Sequence, residues 1–249
     1  MVVNVETTVR GEAIPPWPAE QVAIYQSWLC ALPETDFEEL LDAADEFYVI
    51  HRALAQDGLT ILDELLRDLT DVTLLRWQHY PEGDVEDPDT GAMYYYHAHD
   101  QSERPVEEHG HFHLFVRPES SAGFSHVVGV SLDAQGQVRT AFTTNRWVTD
   151  EEIRPASEVL SLLPDRFVID RVRPSWLVSR WLMMVPRLIR PQIVQLLQDR
   201  DAALSWSGEA VLSATVAEDR SLQVLSEERI DLIAVLSLIQ QEAQSRYQA

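Results

Sequence analysis

The spacing of apolar residues changes period twice along the chain, from helical to alternating and back again. After Pro15-Pro16-Trp17-Pro18, the stretch from Ala19 to Leu32 places Val22, Tyr25, Trp28, Leu29 and Leu32 on one side, which predicts a helix. Thr35-Asp36-Phe37-Glu38 has the form of a capping box, so a second helix is expected to start there and run to about Ala55. A short third helix is expected from Thr60 to about Leu69. From Val72 the composition turns β-branched and aromatic, with candidate strands at Val72 to His79, Ala92 to His99, His109 to Arg117, His126 to Leu132 and Gln137 to Thr144. The acidic, turn-rich run from Pro81 to Gly91 reads as a loop between the first two, and Asp133-Ala134-Gln135-Gly136 as a hairpin turn between the last two. Thr149-Asp150-Glu151-Glu152 repeats the capping signature, and the remainder to Ala249 reads as mostly helical, with one candidate short strand at Ser221 to Leu225.

The pattern therefore predicts an α+β fold, with a central antiparallel meander of about five strands flanked by N-terminal and C-terminal helices. No repeat, low-complexity tract or clear linker interrupts it. A single domain over 1–249 is expected, helical over 1–70, sheet over 71–147 and mainly helical over 148–249.

At 249 residues and 45% apolar content the chain can bury one sizeable core. Its 41 acidic residues face 19 arginines and not one lysine, for a net charge of −22, which argues against nucleic-acid backbones and anionic membranes as partners. The lack of lysine excludes Schiff-base chemistry and a P-loop lysine. Cys30 is the one cysteine, so no internal disulfide or thiolate-rich metal site is available, and any metal must be held by nitrogen and oxygen. Met1 to Arg10 lacks the basic start and apolar run of a signal peptide, and the longest apolar stretch, Trp176 to Ile189, is broken by Arg180, Pro186 and Arg187; a soluble, cytoplasmic protein is expected. Arg166, Arg171, Arg173, Arg180, Arg187 and Arg190 concentrate positive charge in this acidic chain. They read first as partners of internal acids, and second as a site for a carboxylate or phosphate.

The histidines change the picture most. Five of eight lie between His97 and His113, as His97-Ala98-His99, nine residues, then His109-Gly110-His111-Phe112-His113. Side chains two apart on a strand share a face, and all five positions are odd-numbered, so an antiparallel pairing with an even register sum, such as His97 opposite His111, puts all five on one face. Strands roughly 4.8 Å apart let imidazoles from both converge on one ion at about 2.0–2.2 Å. Gly110 would leave the surface beside the cluster open and tolerate a bulge. His79 and His126, at strand ends, are expected near the ladders or as ordinary hydrogen-bonded residues; His51, in an acidic helix, reads as the latter.

The first-choice ligands are His97, His99, His111 and His113, with His109 and Glu103 as substitutes or as partners that fix imidazole tautomers. Two histidines and a carboxylate would suit iron, and three histidines with a water would suit zinc, with Glu107 or Glu108 as general base toward a small-molecule substrate. A closed, four-ligand site would instead suit a non-catalytic carrier, sensor or partner-binding subunit. Phe112, Leu114 and Val116 alternate with the ladder and predict that the reverse face packs on helices.

Two family resemblances attach to parts of this segment. Gly91, His97-Ala98-His99, Glu103 and Gly110 keep the spacing of the first cupin motif, a resemblance that implies a barrel with His97, His99 and Glu103 as metal ligands. Gly123 and His126 keep one spacing of the second cupin motif, whose proline and asparagine are absent. His109-Gly110-His111-Phe112-His113-Leu114-Phe115-Val116 resembles the strand of histidine-triad nucleotide hydrolases and transferases, which implies His111 as a nucleophile oriented by His109, with His113 on the phosphate. Over most of its length the chain resembles an uncharacterised bacterial family of unknown function. That resemblance is carried by His79-Tyr80-Pro81-Glu82-Gly83-Asp84, Tyr94-Tyr95-Tyr96-His97-Ala98-His99, Glu108-His109-Gly110-His111-Phe112-His113, Thr144-Asn145-Arg146-Trp147 and Arg190-Pro191-Gln192-Ile193, and it implies that the ladders and the flanking helices form one unit.

Overall fold

A computed structural model describes residues 16–69, 78–99, 108–163, 167–205 and 214–247. The helices α1 (Ala19–Ala31), α2 (Glu34–Gln56) and α3 (Ile61–Leu66) come first. The meander β1 (Tyr80–Asp87), β2 (Ala92–His97), β3 (Gly110–Val116), β4 (Ser125–Leu132) and β5 (Val138–Thr144) follows. After short α4 (Arg146–Thr149) and α5 (Ala156–Ser161) come α6 (Trp176–Leu188), α7 (Arg190–Ala203) and α8 (Ala214–Ala217), then β6 (Val224–Arg229) and α9 (Leu232–Tyr247). The strands form one antiparallel sheet in the order β1-β2-β3-β4-β5-β6, so the chain is an α+β domain as the periodicity predicts.

The even-numbered residues of β2 and β3 make the core side of the sheet, with Tyr94, Tyr96, Phe112 and Leu114 all fully buried. α6 lies on them: the Tyr94 hydroxyl is 3.2 Å from Ser179 Oγ, and the Phe112 and Trp181 rings are 6.0 Å apart. Ser175 caps α6 by accepting from the N–H groups of Leu177 and Val178, which starts the apolar run as a buried helix. No helix of the described residues is long and apolar enough to cross a membrane. Trp181 Nε1 donates to His51 Nε2 at 2.9 Å, so His51 is an ordinary hydrogen-bonded histidine.

Four local expectations are corrected. The first described strand is Tyr80–Asp87, inside the segment read as an acidic loop, and residues 72–77 of the expected strand Val72 to His79 lie outside the described residues. The candidate strand at Ser221 to Leu225 begins three residues later than expected and joins the sheet beside β5 as its sixth strand. Thr35 does not cap α2; Pro33 precedes its first turn with no side-chain cap, and the capping box forms instead at Thr60 and Asp63 on α3. Thr149 closes α4 instead of opening a helix, because Asp150 takes the left-handed conformation (φ 52°) and turns the chain. The single open meander is also not the barrel that the cupin resemblance implies.

Candidate metal centre

β2 and β3 pair with His97 opposite His111, Tyr95 opposite His113 and Met93 opposite Phe115, the even register sum that unites the odd positions. His97, His111 and His113 consequently share the face away from α6. Each is buried, and one ligand atom from each lies within 4.8 Å of those of the other two. Their ring centroids are 4.4 Å apart for His97 and His111, 4.9 Å for His111 and His113, and 5.2 Å for His97 and His113. His99, just past the end of β2 and half-buried, stands beside this trio with its ring 4.9 Å from His97 and 5.2 Å from His111.

His109 does not join them. β3 begins at Gly110, so strand alternation no longer fixes His109, and its Nδ1 lies 2.8 Å from the hydroxyl of the core-side Tyr96. Gly110 is what permits that contact: a Cβ there would sit 2.6 Å from the Tyr96 hydroxyl and from the His97 carbonyl oxygen. The glycine is therefore a point of close approach, not the open patch expected. The histidine-triad arrangement, with His109 orienting His111, is not formed either, since Glu108 takes that place. Glu103 and Glu107 lie outside the described residues.

The polar partners of the trio divide its ring nitrogens. Glu108 Oε1 is 2.7 Å from His111 Nδ1, so a proton on Nδ1 is donated to the carboxylate and Nε2 is left as a lone-pair donor. His113 Nδ1 is 3.0 Å from His126 Nε2; with the proton on His113, its Nε2 too is left for a ligand. His97 is different, because both its ring nitrogens are buried with no hydrogen-bond partner. A buried imidazole with neither nitrogen satisfied is unusual, and costly unless something else binds it.

Aromatic rings enclose the cluster. Phe142 of β5 lies edge-on to His111 and His113, with centroids at 5.1 and 5.6 Å, and can do so because Gly129 beneath it has no side chain. The His79 ring stacks on Tyr95 at 3.6 Å and 6°, with its Nδ1 2.8 Å from Asp84 Oδ1, and lies 6.0 Å from His97. Both His79 and His126 thus stand beside the ladder. Phe142 and Glu151 went unforeseen: β5 carries no sequence mark of which residue faces the histidines, and Glu151 reads as part of a helix cap. In the structure Glu151 is buried and accepts the His126 backbone N–H at 2.7 Å.

The environment keeps His97, His113 and His126 neutral. Burial, reinforced by His111, His99 and His79, pushes His97 down to about 2, and burial lowers His113 well below the ordinary range. Burial, then the Arg200 guanidinium, takes His126 down to about 3. Burial raises Glu151 to about 7 against the opposing pull of Arg200. Neutral imidazole is the form that ligates a metal.

Fold and site together define an α+β protein whose single antiparallel sheet carries a buried three-imidazole cluster on the face opposite its helical layer. The chain belongs to the family described as Domain of unknown function (DUF6969), which matches residues 41–230 and so includes the whole cluster. No curated protein and no solved structure matches it.

Proposed function

We propose that the chain is a mononuclear metal protein in which His97, His111 and His113 hold one divalent ion, zinc being the metal that suits the donors best. The observation that carries this reading is the convergence of three buried imidazoles, one of them with both nitrogens unpartnered. Donors about 2.1 Å from a tetrahedral zinc are roughly 3.4 Å apart, so nitrogens within 4.8 Å need only small side-chain rotations to close on an ion. A set of imidazoles favours zinc over the two-histidine, one-carboxylate iron site, since the described carboxylate nearest in sequence, Glu108, is engaged on His111. Three protein ligands leave a coordination position open, as in catalytic zinc sites, where the ion supplies a Lewis acid and lowers the pKa of a bound water to about 7. Hydrolysis of a small molecule is the activity proposed, with His99 at the edge of that position.

The reading is tested by metal analysis of purified full-length protein, followed by cobalt substitution. One equivalent of metal, lost in His97→Ala and His111→Ala, is expected. His99→Ala should retain the metal and change the cobalt spectrum, because it borders the ion without being needed to hold it. Protein that stays metal-free after loading with zinc, iron, cobalt and copper would overturn the reading.

A further inference from the structure

Arg166 lies outside the described residues and Arg173 is exposed; the other four arginines between 166 and 190 fall into two groups. Arg180 forms a two-pronged pair with Glu46, and Arg171 lies 3.8 Å from Asp87. Arg187 and Arg190, by contrast, form no ion pair among the described residues. Arg190 Nη2 donates to the Leu160 carbonyl at 3.1 Å, and Arg187 Nε is buried with no acceptor among the described residues. In a chain with 41 acidic residues, two half-buried guanidinium groups without a carboxylate partner among the described residues call for another explanation.

Both open onto one cavity of about 450 Å³. Its walls are Trp28 of α1, Leu40 of α2, Met183 of α6 and Phe167. That is the size and apolar character of a small-molecule site. It lies in the helical layer, on the other side of the sheet from the histidines, so it is not the metal centre. Asp36 and Glu39 also line it, but both are exposed, so water screens their charge more than that of the half-buried arginines. An anion is thus opposed weakly at the mouth and favoured inside.

We propose that this cavity binds a small molecule with an apolar body and a carboxylate, the body against Trp28, Leu40, Phe167 and Met183 and the carboxylate on Arg187 and Arg190. The planar guanidinium fork matches a carboxylate through paired N–H donors, and neither guanidinium is paired with a carboxylate among the described residues.

Calorimetry on the full-length protein with octanoate, octanol and octyl phosphate tests this, independently of metal content. Octanoate is expected to bind with one-to-one stoichiometry, at least about tenfold more tightly than octanol, as charge-assisted hydrogen bonds imply. The Arg187→Met, Arg190→Met double variant should lose that preference and keep its octanol affinity, while Asp36→Asn with Glu39→Gln should tighten octanoate. Equal binding of octanoate and octanol, no saturable octanoate binding at millimolar concentration, or unaltered affinity in the arginine variant would overturn the proposal. Tighter binding of octyl phosphate than of octanoate would overturn the choice of carboxylate. If the double variant fails to fold by circular dichroism, the octanoate and octanol comparison on the unaltered protein, together with Arg190→Gln, decides.

Discussion

Each of His111 and His113 has one ring nitrogen free for a ligand because the other is already engaged, by Glu108 and His126 respectively. Glu108→Gln keeps an acceptor near His111 but removes the charge that orients and polarises the imidazole, so zinc affinity should fall about 10- to 100-fold with the fold intact. Competition with a chromogenic chelator measures this, and unchanged affinity would mean that the carboxylate does not act on the ligand. His126→Leu should weaken binding by a similar factor of about 10–100 through His113. At this scale the five odd-numbered histidines were readable from strand alternation, and the pairing of His97 with His111 follows from the register parity expected. What alternation could not show is where it stops: His109 sits one residue before the strand and is claimed by Tyr96. Nor could it show that Glu108, one residue before His109, reaches three positions along the chain to His111.

Among the elements, β2 to β5 were legible because their apolar and β-branched runs are bounded by clear turns. β1 was not, because Tyr80-Pro81-Glu82-Gly83-Asp84 is written in turn residues: Gly83 and Asp84 both have positive φ, and the register shifts between Tyr80 and Val85. An edge strand tolerates Pro and a bulge where a central one would not. The site depends on a further close approach between β4 and β5, where Phe142 crosses over Gly129. A methyl group there would collide with the ring, and the ring has His111 and His113 on its far side. Gly129→Ala should therefore cost about 1–3 kcal/mol in denaturant unfolding and weaken metal binding together with stability. Wild-type values for both would show that the sheet relaxes around the added carbon.

Across the whole molecule, the buried titratable groups give the metal-free protein a particular dependence on pH. His97 and His126 are held at about 2 and about 3, and His113 well below its ordinary value, so below about pH 6.5 the unfolded chain takes up protons at these three sites that the native protein refuses, and burial lowers His51 in the same direction. Lowered pKa values of this kind contribute stability that is present above the unfolded value and lost as pH falls. Glu151 and Glu228 act in the opposite sense: burial raises each to about 7, so their contribution is full below the unfolded value and is lost as pH rises through about 7. Between about pH 4.5 and 6.5 the three histidines outnumber the two glutamates by one proton, and with His51 acting in the same direction stability should rise with pH by at least about 1.4 kcal/mol per unit. Below about pH 4.5 the glutamates protonate in the unfolded chain as well, the deficit from these groups becomes three protons, and the slope should steepen to at least about 4 kcal/mol per unit. Above about pH 7 these groups contribute no further slope, so the optimum for the metal-free form falls near pH 6.5. Urea midpoints collected from pH 4 to 8 on chelator-treated protein test this, and a flat profile between pH 5 and 7 would mean that the three imidazoles are not kept neutral by the fold. Repeating the series with His97→Leu should remove one proton from the deficit, cutting the slope between about pH 4.5 and 6.5 by about 1.4 kcal/mol per unit and the slope below about pH 4.5 by about a third, which separates the cluster from the rest of the acidic surface.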